Sequence, residues 1–145
     1  MGKHTAVEMD DSEVAQLLHA QDTGVLSLAK DGDAYGIPVS FNYRQKNRRV
    51  YFRLGFAPGS QKREFLDATD HASFEVHDRT DAGWKSVVAS GPLVEATSDE
   101  IGTQVVQSVE QLQIPYFQVF DRPKEELDLR IVYLDVERVR GLVEG

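Results

Sequence analysis

The sequence of 145 residues contains no cysteine, and this absence excludes several kinds of chemistry at once. Disulfide bonds, thiolate metal sites and cysteine nucleophiles cannot occur. Long apolar runs are also missing, since no stretch approaches the ~20 residues of a membrane-spanning helix. The N-terminal residues lead into an acidic stretch without the apolar segment of a secretory signal. We therefore expect one cytoplasmic domain, residues 1–145, that has no membrane partner.

Basic residues are few. The chain has 16 lysines and arginines against 24 acidic residues, and its formal net charge is −8. A field of this sign repels nucleic acid unless the basic residues cluster. The one cluster, residues 44–49, is interpreted as a polar turn between two strands, so no nucleic-acid partner is expected. The acidic excess, together with the absence of cysteine and the small number of lysines, resembles the composition of proteins from halophilic microbes.

Common catalytic and nucleotide-binding motifs are also absent. The sequence has no Gly-x-Gly-x-x-Gly turn, no phosphate-binding P-loop and no Gly-x-Ser-x-Gly nucleophile elbow. Its four histidines are scattered. His71 and His77 are six residues apart on a predicted strand, which separates them by roughly 20 Å. No metal site is therefore predicted, and no catalytic acid or base is identified.

Alternating apolar residues and short polar turns predict an antiparallel sheet. The predicted strands are residues 25–29, 34–43, 50–54, 71–77, 84–96 and 127–139, and the predicted helices are residues 12–20, 60–67 and 98–112. Pro38 indicates a strand edge, bulge or end, and Gly91 with Pro92 indicates a bend or bulge. Six short antiparallel strands commonly close into a barrel. We therefore predict a mainly β (α+β) fold, a six-stranded antiparallel barrel with two or three flanking helices.

The segment from Tyr51 to Lys62 is suited to binding a phosphate group. It passes from a strand through a glycine-containing loop to the start of a helix, where backbone amides are unpaired and partly positive. Ser60 adds a hydroxyl, Lys62 a positive charge and Arg53 a forked donor. These residues alone leave a second interpretation open, in which Ser60 is only a helix cap and Lys62 only a solvated base.

The order of several segments resembles the pyridoxamine 5′-phosphate oxidase-like flavoproteins, and in particular the branch that includes the nitroimidazole-resistance proteins. The resemblance covers about residues 12–96 and is carried by residues 36–43, 50–52, 60–62, 72–76 and 84–91. It implies a split β-barrel that forms a homodimer, with flavin mononucleotide (FMN) bound between the two subunits.

The resemblance also implies which residues bind the cofactor. The flavin ring and ribityl chain would be contacted by Pro38, Val39, Ser40 and Asn42. The phosphate would be held by Arg53, Ser60, Gln61 and Lys62. The polar edge of the ring would be contacted by Lys85, Ser86 and Val87. An alternative remains for some of these positions. Val39 and Val87 also fit an ordinary barrel core, and Ser40 and Ser86 fit outward strand positions.

The implied function is a flavin-dependent oxidoreductase that acts on an unidentified small molecule. One alternative is a non-enzymatic flavin carrier or sensor, and another is a split barrel that binds haem or the deazaflavin F420. Oxidation of pyridoxamine phosphate itself is not expected, because the oxidases carry a C-terminal segment with a tryptophan and substrate-binding arginines. Trp84 is the only tryptophan in this chain, and no such segment is found.

Overall fold

The structure, a computed structural model, describes residues 6–96 and 128–144. Within these ranges the chain forms eight strands and two helices. In chain order they are β1 (Ala6–Glu8), α1 (Asp11–Ala20), β2 (Thr23–Lys30), β3 (Asp33–Arg44), β4 (Arg49–Phe56), α2 (Gln61–Ala68), β5 (His71–Thr80), β6 (Gly83–Glu95), β7 (Asp128–Asp135) and β8 (Arg138–Glu144). The predicted helix over residues 98–112 lies outside the described residues.

Six of the strands close into a ring. Their order is β6-β5-β2-β3-β4-β7, every neighbouring pair is antiparallel, and β7 pairs back with the end of β6. These are the six strands that the sequence predicts. Strand β8 pairs with the free side of β6, and β1 pairs with β8, so both lie outside the ring. The predicted split-barrel fold is confirmed.

The predicted number of strands is nevertheless two too low. The segment predicted as one final strand, residues 127–139, spans all of β7 and the beginning of β8. The chain turns between them, where the amides of Val136 and Glu137 donate to the carbonyls of Arg48 and Ser90. Apolar residues alternate on both sides of this turn, so the pattern does not show the break. Strand β1, with three residues, is too short to give an alternating pattern.

The two longest strands change partners along their length, and this closes the ring. Strand β3 pairs with β2 up to Ser40 and with β4 from Phe41 onward. Pro38, which has no amide proton to donate, therefore lies where β3 has one ladder neighbour, as predicted for an edge position. Strand β6 turns from β8 to β7 around Gly91, where a Cβ atom would overlap the backbone carbonyl of Asp135. Only glycine permits this close approach of two backbones.

Apolar side chains fill the inside of the ring. Phe74 is fully buried, and its ring lies edge-on to those of Phe41 and Phe52 at centroid distances of 4.9 and 5.1 Å. Such aromatic pairs contribute about 0.5–1.5 kcal/mol each beyond the area that they bury. The helices add further buried apolar side chains, namely Val14, Leu17, Leu18, Phe65 and Leu66. No helix in the described ranges is long and apolar enough to cross a membrane.

Candidate functional site

Ser60 is the N-cap of α2. Its hydroxyl oxygen accepts a hydrogen bond from the backbone amide of Arg63 over 3.3 Å, and Gln61 follows as the first, exposed residue of the helix. The interpretation of Ser60 as a cap is therefore confirmed. Capping uses only the oxygen lone pairs, and the hydroxyl can still donate its proton to a ligand. Both residues lie at the end of the helix where backbone amides favour an anion.

Lys62 is buried rather than solvated. Only 5% of its surface is exposed, its Nζ donates to the carbonyl oxygen of Gly55 over 2.5 Å, and it lies 5.5 Å from the ring centroid of Phe56. Burial lowers the pKa of the ammonium group to about 8. The interpretation of Lys62 as a solvated base is wrong. An ammonium group that is removed from water is stabilised by a neighbouring anion.

The strand residues predicted around the ring and phosphate share one face. Phe41 and Phe52 point into the core, so strand alternation places Ser40, Asn42 and Arg53 on the outer face of β3 and β4. Ser40 and Arg53 lie where the β3–β4 ladder ends, because its first pair is Phe41 with Phe52. The structure therefore brings these three residues together on one side of the barrel.

Asn42 carries an unsatisfied acceptor on this face. Its Oδ1 atom is buried and has no hydrogen-bond donor, although Tyr51 lies directly opposite on β4. A buried acceptor without a donor costs about 1–3 kcal/mol, which a ligand N–H can recover. An isoalloxazine ring has such an N–H group, so this atom fits the predicted flavin. Lys62 is linked to the same strand through Gly55, two residues after Arg53.

The predicted residues of β6 lie elsewhere. Val87 is fully buried in the barrel core, as is Val39 on β3, so the core interpretation is confirmed for both side chains and only their backbones can face a ligand. Ser86 lies on the outer face of β6, beside β8. Lys85 points to the other face and lines a small cavity beside α1.

The ring order separates these residues from those on β3 and β4. Two strands lie between β3 and β6 in either direction around the ring. On the outer face, Pro38 is followed across the sheet by Val25, Glu75 and Val88. Three strand spacings of about 4.8 Å place the two groups roughly 14 Å apart. Within one chain, the predicted cofactor residues therefore form two groups rather than one site.

Arg63 lies beside the site and pairs with two carboxylates, only one of which is predictable from the sequence. Its guanidinium group forms a forked pair with Glu95, at 2.9 and 3.3 Å, and a second ion pair with Asp67 at 3.3 Å. Hydrogen bonding to Glu95 raises the pKa of Arg63. The spacing of four residues predicts the pair with Asp67. The pair with Glu95 joins residues 32 positions apart and depends on the fold.

The histidines of β5 are occupied by carboxylates. His71 lies 2.9 Å from a carboxylate oxygen of Glu137, and His77 lies 2.7 Å from one of Glu75. Both histidines are exposed. In residues 6–96 and 128–144, no three histidine, aspartate or glutamate side chains are grouped as metal ligands.

The sequence matches the family model described as pyridoxamine 5′-phosphate oxidase over residues 10–143. The chain belongs to this family. The match begins just before α1 and includes β7 and β8, so it extends past the residues that carry the resemblance in the sequence. No protein with a curated description matches the chain in sequence.

Solved structures of the same fold accompany this match. An FAD-binding protein of Mesorhizobium loti is 23% identical, covers 99% of both chains and superposes with a TM-score of 0.73. A Bacteroides thetaiotaomicron protein assigned to 5-nitroimidazole antibiotic resistance is 14% identical over 99% of this chain and 90% of its own, with a TM-score of 0.67. A heme-binding protein of Mycobacterium smegmatis is 14% identical over 96% of this chain and 59% of its own, with a TM-score of 0.62. These likenesses support the split barrel.

Proposed function

We propose that the protein binds FMN and is a flavin-dependent oxidoreductase that acts on a small molecule. The observation that carries this proposal is the buried ammonium group of Lys62 at the start of α2. Its hydrogen bond to Gly55 holds it against the end of β4, the strand that also contains Arg53. A buried cation, a forked donor and a helix N-terminus together favour a phosphate dianion. The family membership and the flavin-binding proteins of the same fold support the same cofactor class.

Each group of residues has a defined part in this proposal. Lys62 has three ammonium protons, so it can keep its bond to Gly55 and still donate to a phosphate oxygen. Arg53 adds a paired donor, and Asn42 Oδ1 accepts from the ring N–H. The apolar barrel wall behind Ser40 excludes water from one side of the ring. Flavins supply hydride and electron transfer, and the protein orients them and tunes their electronics.

The proposed assembly is a homodimer with the cofactor at the interface between its two subunits. Because β3 and β6 are separated by two strands in either direction, a second subunit would bring Ser86 close to a flavin bound on β3 and β4. Val25 and Val88 are 37% and 45% exposed and share a row on the outer face, with Glu75 between them. Trp84, on the same strand as Val88, is 46% exposed. An exposed apolar group of this kind is typical of a subunit interface.

The haem alternative has less support, and the choice between FMN and FAD needs a separate test. Haem needs an axial ligand, but His71 and His77 are both exposed and bonded to glutamates. FAD contains the same ribityl phosphate as FMN, so Lys62 and Arg53 would contact either flavin. A structure of the same fold is described as FAD-binding, and only titration with both flavins separates these cofactors.

The proposal is tested on the purified protein. We expect the two absorption bands of an oxidised flavin, or their appearance after FMN is added and excess is removed by gel filtration. Oxygen-linked oxidation of NAD(P)H by the loaded protein would separate an oxidoreductase from a carrier. A haem absorption band, or no retention of any flavin, would contradict the proposal.

A further inference from the structure

The hairpin between β3 and β4 concentrates positive charge on an acidic protein. Its tip, residues 44–49, contains four of the chain's 16 basic residues and no acidic residue, while the net charge of the whole chain is −8. Arg44 and Arg49 are directly opposite each other in the β3–β4 register. Like charges at such positions repel and destabilise the ladder. Within the described ranges, the Nε atoms of both arginines are buried and have no acceptor, and an anion between the two side chains would supply one.

Arg49 is held in a fixed orientation. Its guanidinium carbon lies 4.3 Å from the ring centroid of Tyr133, and its Nη1 atom donates to the hydroxyl of Tyr51 over 3.5 Å. Both tyrosines are buried, with 1% and 6% of their surfaces exposed, and their rings are 5.5 Å apart. A guanidinium group stacked on a rigid aromatic ring loses little freedom when it binds a ligand.

Arg49 also has unused hydrogen-bonding capacity. Its Nε atom is buried and has no acceptor. The hydrogen bond with Tyr51 raises the pKa of Arg49, and Asp135, opposite on β7, adds a smaller effect of its charge. The described residues place no carboxylate within ion-pair distance of the Arg49 guanidinium group. Arg63, Arg130 and Arg140, by contrast, each pair with a glutamate. A buried guanidinium N–H without an acceptor costs free energy that an anion would recover.

We propose that the hairpin tip binds a phosphoryl group of a small molecule, between Arg44 and Arg49. The forked donors of arginine match the oxygens of a phosphoryl group. Arg49 lies four residues before Arg53 on β4, which is about 13 Å along the strand. The tip is therefore a second anion site, separate from the proposed FMN phosphate site. The phosphoryl group is that of a separate molecule such as a substrate, because the two phosphates of a dinucleotide flavin share an oxygen atom and cannot occupy two sites this far apart.

Isothermal titration calorimetry with sodium pyrophosphate tests this site. The ionic strength is held constant, because salt screens surface charges and would itself change the affinity. If the protein binds FMN, it is first saturated with FMN so that the phosphate site at Arg53 is occupied. We expect saturable binding of one pyrophosphate per chain. Arg49→Gln should weaken it about 10-fold or more, and Arg49→Lys should weaken it less, because charge remains but the fork is lost.

The matched control is Arg79→Gln. Arg79 also lies over an aromatic ring, 5.5 Å from the centroid of Trp84, but on β5. This variant should bind pyrophosphate as the wild type does. If Arg49→Gln does not fold, Arg44→Gln leaves the contacts of Arg49 with both tyrosines in place and should show the same loss. Unsaturable binding, or an equal loss in Arg79→Gln, would overturn the proposal.

Two further comparisons make the result specific. If FMN does not bind, the proposed function fails, but pyrophosphate binding by the unloaded protein still tests the hairpin tip through Arg49→Gln. A loss in Lys62→Met but not in Arg49→Gln would place the anion at the other site and overturn the proposal. If Arg49→Gln weakens FAD more than FMN, the anion at the tip is continuous with the flavin phosphate, and the proposal of a separate site is overturned. If it weakens neither flavin but weakens pyrophosphate, the ligand is a separate phosphorylated molecule.

Discussion

The Nζ atom of Lys62 lies 2.5 Å from the carbonyl oxygen of Gly55 and donates a hydrogen bond to it. This bond joins the start of α2 to the end of β4, and it places a positive charge where only 5% of the side chain is exposed. Burying an ammonium group costs free energy, and the bond to the Gly55 carbonyl recovers part of it. The proposed phosphate would recover more of it, and this contact is therefore the centre of the functional proposal.

The pH dependence of stability should reveal the buried lysine. The pKa of Lys62 is about 8 in the folded protein and near 10.5 when the chain unfolds. Between these values the unfolded chain binds more protons, so the contribution of this group to stability rises with pH. From pH 7 to 9.5, we expect the free energy of unfolding of the flavin-free wild type to rise by about 1–2 kcal/mol relative to Lys62→Met. Urea denaturation at each pH measures this difference, and parallel pH profiles would contradict it.

The corner of β6 should tolerate no side chain at Gly91. A Cβ atom there would overlap the backbone carbonyl of Asp135, so Gly91→Ala must push β6 and the end of β7 apart. We expect a loss of about 2 kcal/mol or more in the free energy of unfolding. Gly36→Ala is the matched control on β3, because the nearest atom to its Cβ would be Val25 Cγ1 at 3.6 Å. Thermal or urea unfolding that shows equal effects of the two substitutions would disprove the role of Gly91.

The outer face of β2, β5 and β6 should form the subunit interface. Val88 is 45% exposed there, and a charge at this position would be buried without a partner in the dimer. We expect Val88→Glu to raise the dimer dissociation constant at least 10-fold, as measured by sedimentation equilibrium with FMN present. Val7→Glu is the control, since Val7 is 62% exposed and shares a row with Val143 and Lys85 on the opposite face of β6 and β8. A wild-type monomer at micromolar concentration, or equal effects of both substitutions, would contradict the interface.

Most of the barrel can be predicted from the sequence because strand alternation and polar turns are local signals. Those signals identify all six ring strands, and they identify Ser60 as the cap of α2. They cannot reveal the turn at Val136, because apolar alternation continues through it. They also cannot show how β6 is placed relative to β3, and this ring order separates Ser86 from Ser40.

The contacts that sequence reasoning misses are long-range. Arg63 and Glu95 are 32 residues apart, and Arg49 meets Tyr133 only because β4 pairs with β7. The burial of Lys62 is also a tertiary effect, since a lysine in the first turn of a short helix is exposed unless another element covers it. The proposed FMN phosphate site depends on the burial of Lys62, and the proposed site at the hairpin tip depends on the contact of Arg49 with Tyr133.

Fluorescence titration of the flavin-free protein with FMN and with riboflavin tests the central claim most directly. If Lys62 and Arg53 both contact the phosphate, each alanine substitution removes a charge-assisted hydrogen bond of ~1.5–3 kcal/mol. The account predicts that Lys62→Ala and Arg53→Ala each weaken FMN roughly 10- to 100-fold and leave riboflavin, which has no phosphate, almost unchanged. Lys30→Ala, the control, removes a partly exposed lysine that pairs with Glu64 of α2 and should not affect either ligand. FMN binding by Lys62→Ala within ~0.5 kcal/mol of the wild type, or an equal loss for both ligands, would contradict the account.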